Sequence, residues 1–143
     1  MVMATLAENP PRTILLVEDE PEVRRVIKRI LSTESAKILT AGSGAQALQI
    51  AARTAVDLVI LDVKLPDMSG TEVLRRLRDI DGNVAVIMVT GYGSPGSVRA
   101  AMELGAFDYL TKPFSNEEMS RVVREALASR RVGPIRRAVS LNS

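Results

Sequence analysis

Six polar residues stand where the chain leaves apolar runs, and their types suit one kind of chemistry. Thr13–Val17 (TILLV) leads into Glu18-Asp19-Glu20, the run that opens at Asp57 closes on Asp62, Val84–Val89 leads into Thr90, and Lys112 follows Phe107–Leu110 within two residues. Two carboxylates about 4 Å apart repel by roughly 4 kcal/mol at an effective dielectric near 20. A convergence of Glu18, Asp19 and Asp62 therefore requires positive charge among them. Lys112 supplies one charge and a divalent cation two more, which brings the sum to zero. Ligation by a few carboxylate oxygens, with waters retained, suits Mg²⁺ rather than zinc or copper. Such a neutralised pocket can receive a phosphoryl group if the Thr90 hydroxyl and the Lys112 ammonium contact its oxygens. Asp62 is the candidate nucleophile, because a carboxylate can form an acyl phosphate.

Taken singly, each residue has a plainer reading. Asp19 could cap a helix that opens at Asp-Glu-Pro-Glu, Asp62 could be a turn residue after a strand, Lys112 a solvated loop lysine and Thr90 a strand terminus. Held jointly, these readings need four coincidences at one edge of a sheet. Composition removes the main competitors. The 143 residues contain no cysteine and no histidine, which excludes disulfides, thiol nucleophiles, His-based triads and the usual zinc sites. No apolar run approaches the ~18–20 residues that cross a bilayer, and Met1–Arg12 lacks the pattern of a secretory signal, so a cytoplasmic protein without membrane contact is expected. The net charge of +2 is uneven: Arg130, Arg131, Arg136 and Arg137 lie in the last fourteen residues, which hold no acid, leaving fifteen basic against seventeen acidic residues elsewhere. The basic stretch has no aromatic residue to stack on bases, and nucleic acid is not an expected partner.

The elements that must position these groups alternate along the chain. The runs already named, with Lys37–Ala41 (KILTA), are mostly continuous rather than alternating, as in strands covered on both faces of a parallel sheet. KILTA and FDYL (107–110) are the most polar and suit the edges. Between the runs, Val23, Val26, Ile27 and Ile30 share a helical face, as do Met119, Val122, Val123, Ala126 and Leu127. Ser43/Gln46, Ser69/Glu72 and Ser115/Glu118 have the spacing of reciprocal capping boxes, and Pro21 and Pro95 suit first-turn positions. Strand then helix, five times over, predicts a single α/β domain: a doubly wound five-stranded parallel sheet with five helices in three α/β/α layers. In such a sheet ligands bind outside the carboxyl ends of the strands, where the winding reverses. The expected division is a flexible 1–12, a domain over 13–129 and a flexible basic tail over 130–143, with Gly133-Pro134 breaking any continuing helix.

The segments LLVEDE (15–20), DLVILDVKLPDMSG (57–70), VIMVTGYG (86–93) and GAFDYLTKPF (105–114) resemble the receiver domain of two-component response regulators. The resemblance spans about 13–129. It implies strand order 2-1-3-4-5 and a phosphorylation-dependent switch rather than a conventional turnover enzyme. It further implies that Asp62 accepts the phosphoryl group from a phosphohistidine on a sensor histidine kinase or phosphotransfer protein. Asp19, Glu18, Asp62 and the backbone carbonyl of Lys64 then hold Mg²⁺, Thr90 and Lys112 hold the phosphoryl oxygens, and Tyr109 is an aromatic switch coupled to Thr90. The Lys112–Pro113 bond resembles one usually cis in the family. Lys64 and Tyr92, each two residues beyond a key position, would flank the hydrolytic water, the bulk of Tyr92 slowing dephosphorylation. The face of helix four, strand five and helix five would meet a second copy or an output partner. The stretch 89–114 most resembles receivers attached to ATP-dependent activators of the nitrogen-regulatory type. A phosphatase of the haloacid-dehalogenase-like class would need a carboxylate at position 64, where Lys64 stands.

Overall fold

The computed structural model describes residues 11–91 and 95–131. The apolar runs form five strands and the periodic stretches five helices: β1 (Arg12–Val17), α1 (Pro21–Leu31), β2 (Ala36–Ala41), α2 (Gly44–Arg53), β3 (Leu58–Asp62), α3 (Gly70–Ile80), β4 (Ala85–Thr90), α4 (Pro95–Glu103), β5 (Asp108–Thr111) and α5 (Asn116–Arg131). All pairings are parallel, in the order β2-β1-β3-β4-β5, so the polar runs KILTA and FDYL do take the edges. Strand limits differ from the apolar runs by one residue. Arg12 pairs with Ala36 and Thr90 with Thr111, because ladder hydrogen bonds need a neighbouring backbone and hydrophobicity marks only what is covered. Met1–Pro10, Tyr92 and 132–143, with Gly133-Pro134, lie outside the described residues. No helix among the described residues is long and apolar enough to cross a membrane.

Strand geometry divides the core in two. Alternate residues point to opposite faces, so Leu15, Val17, Val59, Leu61, Val86 and Met88 pack with Ala47, Val73, Leu74, Leu77 and Ala101 of α2, α3 and α4. Ile14, Leu16, Leu58, Ile60, Ile87 and Val89 pack on the other face with Ile27, Ile30, Leu31, Met119, Val122 and Val123 of α1 and α5. Burying each such Leu, Ile or Val contributes about 1.5–3 kcal/mol. The three serine caps form: Ser43, Ser69 and Ser115 Oγ accept the backbone N–H of Gln46, Glu72 and Glu118 at 3.2, 3.1 and 3.0 Å. The reciprocal half of the first two boxes does not. Gln46 Oε1 accepts from Gly42 N–H instead, and the Glu72 carboxylate is drawn to Arg75 and Arg76.

The chain turns back from β3 into α3 at Gly70, whose N–H donates to the Val63 carbonyl at 2.7 Å. A Cβ there would lie 2.5 Å from the Asp62 carbonyl oxygen and 2.8 Å from Val63 Cα. Both obstacles are backbone, so no rotamer relieves them. Gly70→Ala is expected to lower unfolding stability by about 2 kcal/mol or more in urea denaturation, whereas Gly82→Ala, which meets only a carbonyl oxygen at 3.8 Å, stays within about 0.5 kcal/mol of the parent.

Candidate functional site

The C-terminal edge of the sheet carries the polar groups on backbone that is still in the ladder. Glu18 N–H donates to the Ala41 carbonyl at 3.0 Å, Val63 N–H to Val89 at 3.0 Å and Lys112 N–H to Thr90 at 2.7 Å. Each bond continues a strand pairing by one residue. The chain passes from β1 outward to β2 and then back across β1 to β3, so the winding reverses between the strands that bear Glu18 and Asp62. The fold thus opens its crevice at these two carboxylates.

Glu18 and Asp62 are buried, with 1% and 6% of their surfaces exposed. The Lys112 ammonium reaches both: Nζ lies 3.3 Å from Glu18 Oε1 and 3.3 Å from Asp62 Oδ2. Glu18 Oε2 accepts the N–H of Glu20 at 3.2 Å, and Asp62 Oδ1 accepts the N–H of Lys64 at 3.0 Å. Burial, then a hydrogen bond with Asp62 and its negative charge, pushes the Glu18 carboxyl from 4.5 up to about 7, against the Glu20 amide and Lys112. Burial opposes the Lys112 charge too, but Asp62 and Glu18 outweigh it and hold the ammonium above its ordinary value. Arg24 does not relieve the acids, since it donates to the Glu18 backbone carbonyl at 2.7 Å.

Asp19 is exposed and does not cap α1, whose N-cap is Glu20 without a side-chain bond. Carboxylate oxygens of Glu18, Asp19 and Glu20 lie within 4.8 Å of one another. Glu18 thus links the acids Asp19 and Glu20 to Asp62 through Lys112, whose ammonium contacts two of the four carboxylates. This excess of negative charge, with hard oxygen donors only, fits a divalent cation such as Mg²⁺. Thr90 ends β4 and is 5% exposed. Lys64 is exposed in the loop after β3, bridged to Ser69. Tyr109 is half-buried on β5 against the α2–α3–α4 side of the core, and its Oη is buried with no hydrogen-bond partner among the described residues. The Lys112–Pro113 bond is cis. That Glu20 joins the acidic triad, that Asp67 of the β3–α3 loop binds the start of α2 and that Arg24 of α1 binds the Glu18 carbonyl were not legible in the sequence. Glu20 had only its adjacency as a signal, and the partners of the other two are set by folding.

The raised Glu18 value has a consequence for stability. In the unfolded chain this carboxyl titrates near 4.5, so between that pH and about 7 the folded state holds the extra proton. Glu18 thus favours folding fully below about pH 4.5, and that contribution, roughly 3 kcal/mol at most, is lost as the pH rises through 7. Without divalent cation, the melting temperature is expected to fall between pH 5 and 8. Glu18→Gln should flatten that profile, and Mg²⁺ should restore the parent at the upper end.

Residues 14–124 match the response regulator receiver domain. The chain is 37% identical over 114 residues to sporulation initiation phosphotransferase F of Bacillus subtilis, covering 80% of this chain and 92% of that protein. It is 42% identical over 114 residues to the uncharacterized transcriptional regulatory protein YkoG of Bacillus subtilis, covering 80% of this chain but 50% of that one. The chain thus spans about half the length of some relatives. The crystal structure of a CheY-like response regulator receiver domain protein from Methanospirillum hungatei superposes with a TM-score of 0.82 at 29% identity, over 85% of this chain and 98% of that one. With the sheet order, the buried acids and the shared lysine already described, these matches make the chain a member of the receiver domain family of two-component response regulators.

Proposed function

We propose that Asp62 accepts a phosphoryl group from a phosphohistidine on a sensor histidine kinase or phosphotransfer protein, and that the product drives a conformational switch. The observation that carries this reading is the Lys112 ammonium shared at 3.3 Å by two buried carboxylates, Glu18 and Asp62, at the switch point of the sheet. Lys64 N–H engages Asp62 Oδ1, which leaves Oδ2, beside Lys112, as the attacking oxygen. An oxygen–phosphorus bond forms as the phosphorus–nitrogen bond of the donor breaks, and the departing imidazole nitrogen keeps the electron pair. Lys112 then turns from a carboxylate to a phosphoryl oxygen, and the Thr90 hydroxyl donates to another. Glu18, Asp19, Asp62 and the Lys64 carbonyl would hold Mg²⁺, which when bound offsets the charge of the carboxylates and the incoming phosphoryl oxygens. Hydrolysis of the acyl phosphate returns the resting state, so no external product is turned over.

Drawing Thr90 and Lys112 toward the phosphoryl group biases the residues between β4 and α4. Tyr109, on the strand beside Thr90, is the side chain placed to follow, and the face of α4, β5 and α5 is the surface that would meet a second copy or an output partner. A kinase donor of this kind places the domain in the cytoplasm. The domain proper is read as 13–129, with the stretches on either side outside the switch.

Incubation with acetyl phosphate and Mg²⁺ should add one phosphoryl group to Asp62, seen by intact mass and peptide mapping. Asp62→Asn should take up none, and Lys112→Ala should load about 100-fold more slowly. A label retained in Asp62→Asn overturns the assignment. Tyr109→Phe removes a buried hydroxyl without a partner among the described residues and is expected to raise unfolding stability by about 1 kcal/mol in urea denaturation.

A further inference from the structure

The loop between β3 and α3 is tied to a helix distant in sequence by a residue with no part in the phosphoryl chemistry. Asp67 Oδ1 accepts the N–H of Gly44 at 2.8 Å and Oδ2 that of Ala45 at 2.9 Å. These are the first two amides of α2. The next two are satisfied by Ser43, whose Oγ accepts from Gln46 and whose carbonyl accepts from Ala47. The Ala47 bond is the first inside the helix, so three of the four donors that every helix start leaves open, those of Gly44, Ala45 and Gln46, are divided between a carboxylate from another element and the local cap. The two amide bonds, Ala45 first and Gly44 second, hold the Asp67 carboxyl below its usual range, as charge-assisted bonds at the positive end of a helix should.

The fit extends beyond the carboxylate. A Cβ on Gly44 would come 2.6 Å from Met68 Cγ and 2.9 Å from Val73 Cγ2, so helix start and loop approach as closely as glycine allows. The other end of the loop is closed by Gly70 N–H on Val63, the bridge between Lys64 and Ser69, and Lys64 N–H on Asp62 Oδ1. Residues 63–70 are therefore held at their base by β3 and beyond it by α2.

We infer that Asp67 is a positioning residue for the metal and phosphoryl site: by capping α2 from the β3–α3 loop it fixes the backbone that carries the Lys64 carbonyl beside Asp62. This rests on the assignment of that carbonyl to Mg²⁺ under the proposed function. Groups that orient metal ligands are typically worth about 10–100-fold in affinity.

The test is Mg²⁺ titration of the full chain, followed by calorimetry and by the amide resonances of Lys64 and Gly70, with melting temperatures alongside. Asp67→Ala is expected to weaken Mg²⁺ binding about 10-fold. Ser43→Ala is the control: it removes the local cap of the same helix, destabilises α2 comparably, and should change Mg²⁺ affinity less than about 2-fold. Equal weakening in both variants, or unchanged affinity in Asp67→Ala, overturns the inference. If Asp67→Ala does not fold, Asp67→Asn, which keeps one acceptor oxygen, should weaken binding several-fold, and unchanged affinity there overturns it equally. Absence of Mg²⁺ binding in the parent chain instead overturns the metal-site reading itself, and the inference with it.

Discussion

The structure turns on one ammonium group between two carboxylates that have been taken out of water. Glu18 and Asp62 stand at the ends of adjacent strands, where each would repel the other, and burial adds a desolvation penalty to that repulsion. Lys112 offsets part of it. The remainder appears in Glu18, whose carboxyl is pushed to about 7. A buried pair of this kind is weak evidence for stability, since hydrophobic residues of the same volume would often do as well. Under the proposed function its value lies in charge placed where a cation and a phosphoryl group are received, and the rest of the fold holds it there.

Rigid backbone does most of the holding. The parallel ladder runs one residue past β1, β3 and β5 through the amides of Glu18, Val63 and Lys112, so the reactive groups emerge from the sheet itself. Two separate apolar layers clamp that sheet, with α1 and α5 on one face and α2, α3 and α4 on the other. A site borne on strands is placed more closely than one borne on loops. The far edge is secured in another way: Arg78 of α3 donates to the carbonyls of Val84, Leu104 and Gly105, gathering the start of β4 and the end of α4 around one guanidinium. Gly105 makes this turn with φ of +86°, a conformation that other residues rarely adopt.

Loops that bear on the site are fastened by contacts with neighbouring elements. Asp67 reaches the start of α2, Arg24 reaches the carbonyl of Glu18, and Gly70 brings α3 against the backbone of Asp62. Tyr109 is the exception. Its hydroxyl is buried without a partner among the described residues, and a buried polar group left unpaired costs free energy.

The sequence by itself determined the class of the fold, because continuous apolar runs alternating with amphipathic stretches leave few ways to cover a parallel sheet on both faces. It also determined which residues emerge at the carboxyl ends of the strands, since strand direction is common to all five and an Asp, Thr or Lys just after a run has nowhere else to go. Both follow from local order along the chain. The tertiary structure decided the rest. That Lys112 bridges Glu18 and Asp62, rather than serving Asp19, depends on the sheet order bringing together residues 50 and 94 positions apart in the chain. That Asp19 stays exposed while Glu18 is buried depends on which way β1 faces its layers. That Gln46 and Glu72 abandon their capping boxes depends on competing partners, and that Asp67 caps a helix 22 and 23 residues away depends on packing of the β3–α3 loop against α2. Spacing along a chain encodes what lies on one face of an element, but long-range contacts appear only when two elements, each specified by its own residues, are brought together.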